Sequence, residues 1–158
     1  MSKRQNLYIG KSGQMAVMAE FLVRGYNVGI PEVDVGDDIF VVRDDNGELS
    51  RIQVKTGTAR VTRKGFSSQF NVPIAQLEEP KTPDLHYVVV IRHQERWSDY
   101  VIIDRESLNQ HRLLDKIGSI AGEIMHFHLS FSAGDVLCSG FSLRPYLNNW
   151  ERWPVIPH

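Results

Sequence analysis

The sequence predicts an α/β fold of the α+β kind, a mixed β-sheet flanked by helices. Three observations carry this: a helical pattern near the N-terminus, a succession of short β-branched runs parted by turn residues, and helical stretches that return between the strands. Ser12-Gly13 precedes the helical "QMAVMAEFLVRG", in which Met15, Met18, Ala19 and Leu22 share a face and Gly25 can end the helix. "YNVGIPEV" reads as a strand with Pro31 near its end. Ile39 to Val42, the turn Asp44-Asp45-Asn46-Gly47, and the alternating Leu49 to Lys55 make a hairpin. "TARVTRKGFSSQFNV" predicts a second hairpin turning near Lys64-Gly65. Pro73 starts the short helix "PIAQLEE", which Pro80 ends. "LHYVVVIR" is the most apolar strand, hence central; "DYVIID" is a strand and "RESLNQHRLL" a helix. Beyond Lys116, "EIMHFHLSF" alternates as a strand does, and "LRPYLNNWERW" predicts a short aromatic-rich helix.

With 158 residues, 42% of them hydrophobic and 23% charged, the chain suits one globular domain, 1–158, with a real core. The net charge of −1 surrounds the molecule with no strong field, so an anionic partner must be held by a local patch. One is present in outline: Arg51, Lys55, Arg60, Arg63 and Lys64 fall in a stretch without an acidic residue. A solvated hairpin face accounts for them equally well. Cys138 is the only cysteine, which excludes an intrachain disulfide and a Cys-rich zinc site and suits a reducing cytoplasm. The start "MSKRQNLYIGKSGQ" lacks the apolar core of a signal peptide, and no apolar run is long enough to cross a bilayer, so a cytoplasmic location is expected.

The first hairpin raises the functional question. Asn46-Gly47 favours a two-residue type I′ loop, which pairs Val42 with Arg51, Phe40 with Gln53 and Asp38 with Lys55. Asp38, Gln53 and Lys55 then share one face. An Asp opposite a Lys is also an ordinary cross-strand ion pair. Ile52 and Val54 on the other face, with Phe40 and Val42 beside the polar trio, imply a sheet covered on both sides, where a charge must be paired, bind a metal or lie at an open end.

The order helix, strand, strand bearing Asp38, strand bearing "QVK", helix, strand resembles the αβββαβ core of the PD-(D/E)XK nuclease superfamily. The text "GYNVGIPEVDVGDDIFVV…RIQVKT" is most similar to its restriction-endonuclease-like branch of Holliday-junction-resolvase-like and small uncharacterised nucleases. The resemblance covers about residues 12–108 and leaves 109–158 as an extension. It implies a Mg²⁺- or Mn²⁺-dependent endonuclease acting on DNA, structured or duplex, with a homodimer as a possible assembly. By this resemblance Asp38 supplies a metal-binding carboxylate, Gln53 occupies the slot usually held by Glu, the Val54 carbonyl completes the protein's share of the metal shell, and Lys55 lies near the attacked phosphate. Arg51, Arg60, Arg63 and Lys64 would grip phosphates.

Two departures stand out. Gln53 leaves Asp38 as the main negative charge at the metal, enough for weak Mg²⁺ binding. Where relatives carry a Glu early in the first helix, this chain has Gln14; Glu20 is the nearby acid, but it lies off the apolar face and has Arg24 four residues on. Gln14 is the better active-site neighbour of the two. Asp34 and Asp37 are expected as solvated turn residues or as outer charge.

Other sites carry plainer readings. His126 and His128 share a strand face at metal-binding spacing, without companions, so a solvated strand explains them. Trp97, Trp150 and Trp153 stack on bases or dock the C-terminal segment. Ser67 and Ser68 lack a His and an acid at triad spacing. The rival to a nuclease is a catalytically silent module of the same fold that binds nucleic acid or a protein.

Overall fold

The computed structural model describes residues 2–158. Helix α1 spans Lys3–Val23, starting well before the predicted onset after Gly13. The reason is a capping box: Ser2 Oγ accepts the Gln5 N–H, and Gln5 Oε1 accepts the Ser2 N–H (3.2 and 2.9 Å). The buried face also differs from the predicted one. Gly13, Val17 and Phe21 turn inward, whereas Met15 and Leu22 are 46% and 54% exposed. Gly13 lets the helix approach the sheet closely, since a Cβ there would come within 2.2 Å of Thr56 Oγ1. Phe21 is clasped edge-on by Trp150 and Trp153, with ring centroids 5.5 and 5.2 Å away.

Strands β1 (Asn27–Gly29), β2 (Ile39–Val42) and β3 (Leu49–Thr58) follow. The chain then runs through β4 (Arg60–Val61), β5 (Phe66–Pro73), α2 (Ile74–Glu78), β6 (Leu85–His93), β7 (Arg96–Asp104) and α3 (Arg105–Leu114). It closes with β8 (Ser119–Ala121), β9 (Ile124–Ser132), β10 (Asp135–Cys138) and β11 (Phe141–Ser142). The first sheet is ordered β1-β2-β3-β6-β7 and is mixed, because β3 and β6 run parallel while their neighbours run antiparallel. The second is antiparallel, ordered β11-β10-β9-β5-β4, with β8 on β9.

The layers follow from alternation along each strand. Ile39, Ile52, Val88 and Val90 turn toward Val17, Phe21 and Trp153, while Tyr87, Val89 and Ile91 turn toward Phe70, Phe127 and Leu129 of the second sheet. The first sheet is therefore covered on both faces, and β6 is its buried centre. β3 leaves the first sheet past Gly57, where a Cβ would meet Ser68 Oγ at 2.1 Å, and one residue later the chain enters the second sheet as β4.

Two local expectations are corrected. The β2–β3 pairing is Val42 with Leu49, Phe40 with Arg51 and Ile39 with Ile52, two residues from the register predicted for a two-residue loop. The loop is longer: Arg43 pairs with Glu48, Arg43 O accepts the Gly47 N–H (2.7 Å), and Gly47 alone of the loop has positive φ. A shift of two keeps every side chain on its face, so the polar trio stays together and Asp38 moves from opposite Lys55 to beside Gln53. The predicted C-terminal helix is a single 3₁₀ turn, Arg144–Tyr146. Asn148 then binds the Tyr100 backbone in both directions (2.6 and 2.8 Å), and the tail runs on to dock Trp153 and to pair Ile156 N–H with Arg24 O.

Candidate active site

β2 begins at Ile39, opposite Ile52, so beyond Ile52 strand β3 has no strand partner on that side. That free edge and the N-terminal half of α1 bound an open cleft of about 380 Å³ lined by Gln14, Asp38, Gln53, Val54, Lys55 and Thr56 with Lys11 of the helix. Asp38 fills the missing pairing position. Its N–H bonds Ile52 O (2.8 Å), and its Oδ2 accepts both the Val54 N–H (2.8 Å) and Gln53 Nε2 (2.7 Å). The N–H and C=O of one residue in an extended strand point to the same edge, so the Val54 carbonyl also faces this side. Gln14 Nε2 donates to Asp38 O (3.2 Å) and Lys11 Nζ to Gln14 Oε1 (3.2 Å).

Asp38, Gln53, Val54, Lys55 and Gln14 thus converge. Glu20 does not line the cleft; it pairs with Arg24 at 3.7 Å. Arg51 is engaged elsewhere: it holds Asp37, whose side chain is fully buried, at 3.1 Å, with Lys81 Nζ 3.8 Å from the same carboxylate. Asp37 is therefore a buried anchor for the loop that presents Asp38, not a solvated turn residue. Asp34 is exposed and caps the turn through Gly36 N–H (3.0 Å). Arg63 and Lys64 line a separate depression on the β4–β5 hairpin, and Arg60 lines another with His128. Trp150 and Trp153 dock the tail, while Trp97 lies under Arg92 (5.2 Å).

Sequence reasoning missed Lys11 and Thr56. Thr56 is held by its fit against Gly13, which no local pattern announces, but Lys11 was findable: Ser2 and Gln5 are spaced as a capping box and bring residues 3–11 into the helix.

Burial sets the electrostatics. It pushes the Asp38 carboxyl above the usual carboxylate range and the Asp34 charge adds to this, against the Val54 N–H and the charges of Lys55 and Lys11, which pull it down. Burial likewise pushes the Lys55 ammonium below the usual lysine range, with Asp38 pulling it up. Both charges are incompletely compensated, which suits a further charged group in the cleft. Among the described residues no three His, Cys, Asp or Glu side chains gather into one cluster. The oxygens available are one carboxylate, the two amides and the Val54 carbonyl, a hard donor set that fits Mg²⁺ held weakly.

A stability test follows. The folded state favours protonated Asp38, so in the absence of divalent ions stability is lost as pH rises from the ordinary carboxylate value through the raised one. Asp38→Asn removes that burden and keeps an acceptor for Val54 N–H. It is expected to melt higher than the parent above this window, by about 2–4 °C per kcal/mol recovered, with the gap closing at acid pH. Mg²⁺ or Mn²⁺ should raise the parent's melting temperature and leave Asp38→Asn unmoved. Calorimetry in EDTA and in each metal checks both.

The fold is shared with a bacterial homing endonuclease. The two structures superpose with a TM-score of 0.57 at 16% sequence identity, over 96% of this chain and 91% of that one. No family model matches the chain, and no curated protein matches it. The chain has a nuclease-like α/β fold, and no helix among its described residues is long and apolar enough to cross a membrane.

Proposed function

We propose that the chain is a PD-(D/E)XK-type nuclease, a metal-dependent endonuclease that hydrolyses phosphodiester bonds of DNA. One observation carries the reading: Asp38, Gln53, the Val54 main chain and Lys55 meet at the free edge of β3, in a cleft open to a substrate. Asp38, Gln53 and Val54 O would hold Mg²⁺ or Mn²⁺; Gln53 offers its oxygen once its amide turns over and releases Asp38 Oδ2. Such an ion supplies polarisation of a phosphoryl oxygen and a more acidic bound water. Lys55, desolvated against the sheet, neutralises charge that builds on the phosphate and orients the attacking water. Gln14 and Lys11 steady the Asp38 main chain from the helix side.

The test is cleavage of supercoiled, linear, branched and single-stranded DNA, and of RNA, with Mg²⁺, Mn²⁺ or EDTA. Metal-dependent scission of DNA that disappears in Asp38→Ala is the expected result. A silent module draws on a specific feature, amides at both Gln14 and Gln53, with Gln53 already satisfying Asp38. Salt-sensitive binding without scission in any metal, unchanged in Asp38→Ala, would establish that module instead.

A further inference from the structure

The second sheet buries one face against the core and exposes the other, whose composition is unusual. β5 turns Phe70 and Val72 inward, and β9 turns Phe127, Leu129 and Phe131 inward, so Gln69, Asn71, His126 and His128 point outward. Register places Gln69 opposite His128 and Asn71 opposite His126, with Arg60 at the edge on β4. Gln69 Nε2 bonds Asn71 Oδ1 (3.0 Å) and contacts His126 Nδ1 (3.1 Å), so the amides and imidazoles form an ordered row. No Asp or Glu occurs from Arg51 to Leu77 or from Ile124 to Ser132; Asp135 of β10, opposite Ser132, is the carboxylate on this face, and its Oδ1 is engaged by the Val136 N–H and Ser142 Oγ (2.7 and 2.8 Å). The strands β5 and β9 thus present uncharged hydrogen-bonding groups, with Arg60, Arg63 and Lys64 at the rim and Asp135 beside the last two.

We infer that this outward face is where the chain reads a DNA duplex, with Gln69, Asn71, His126 and His128 reaching base edges and Arg60, Arg63 and Lys64 holding the flanking phosphates. It rests on the proposed function only for the choice of DNA as the nucleic acid. Amide side chains pair with base edges, and alternate residues of an antiparallel strand are spaced by about 6.8 Å, close to two base steps of about 3.4 Å. The scarcity of carboxylates, with Asp135 of β10 as the one placed on this face by register and held there by Ser142 Oγ (2.8 Å), suits a polyanion. Position links the face to the cleft: β3 runs from Lys55 to Thr58, about 10 Å in extended chain, and Thr58 lines the depression that also contains Arg60, Gln69 and His128. One strand therefore joins the cleft to the reading face. His126 and His128 gain a purpose here that does not require a metal.

The test is binding of a short mixed-sequence DNA duplex in EDTA, where no cleavage complicates the reading, across a series of KCl concentrations. Gln69→Glu adds one carboxylate to the face without changing side-chain size and is expected to weaken binding about 10-fold or more. Arg60→Ala should reduce the slope of log affinity against log salt by about one, and Arg152→Ala, an exposed residue paired with Glu48 of the β2–β3 hairpin in the other sheet, should change nothing. Circular dichroism melts of the variants control for folding. Parent-like affinity in Gln69→Glu together with a parent-like slope in Arg60→Ala overturns the inference, as does a parent protein that binds no duplex. A protein that binds through this face yet cuts nothing keeps the inference and removes the nuclease; one that cuts while indifferent to the face does the reverse.

Discussion

Lys55→Ala is expected to slow metal-dependent cleavage by about 150-fold or more, roughly 3 kcal/mol of transition-state stabilisation. The size follows from burial. An ammonium among apolar strand residues acts on developing phosphate charge through a low local dielectric, and it needs no reorganisation because β3 fixes its position between β6 and the free edge. Lys55→Arg is expected to restore little, since a planar fork does not replace a compact ammonium in a cleft shaped by Thr56 and Gln53. Single-turnover cleavage at saturating metal, with duplex affinity measured alongside, separates chemistry from binding. Full rate in Lys55→Ala would remove Lys55 from the mechanism.

The largest stability loss is expected at Arg105. This residue is only 6% exposed and grips both oxygens of Asp84 through Nε and Nη2 (2.9 to 3.1 Å), while Nη1 donates to Leu77 O. It thereby ties the end of α2, the start of β6 and the start of α3 into one corner. Asp84 also accepts the N–H groups of Lys81 and Leu85 (3.1 and 2.8 Å). Arg105→Ala leaves the Asp84 charge and the Leu77 carbonyl without their partner, at a cost of about 3 kcal/mol, the low end for a buried pair because the Asp84 side chain is 34% exposed. A urea midpoint shift and a melting temperature lower by about 10 °C are the expected readouts. Burial raises the Asp84 carboxyl, but the bonds from Arg105, Lys81 N–H and Leu85 N–H outweigh it and hold the carboxyl below the usual range. The pair therefore contributes above the ordinary carboxylate value and is lost as pH falls through the lowered one. An acid-sensitive difference between parent and Arg105→Ala, shrinking toward low pH, checks the assignment.

Local chemistry alone determined a good deal here. Strand β6 was legible as central because an unbroken apolar run cannot face water on either side. The trio Asp38, Gln53 and Lys55 was legible because side chains alternate with period two, which is also why a register off by two residues left the trio intact. Packing decided the rest. The inward face of α1 turned on Gly13 meeting Thr56 and on Phe21 between two tryptophans from the far end of the chain, so counting methionines along the helix selected the wrong stripe. Arg51 reads as one more cation in a basic stretch until the fold buries Asp37 against it. Likewise, the row of Gln69, Asn71, His126 and His128 exists only once β5 and β9, more than fifty residues apart in sequence, lie side by side. Periodicity and turn chemistry act over a few residues and show in the sequence, whereas a close approach, a buried ion pair or a shared sheet face depends on which distant segments the core brings together.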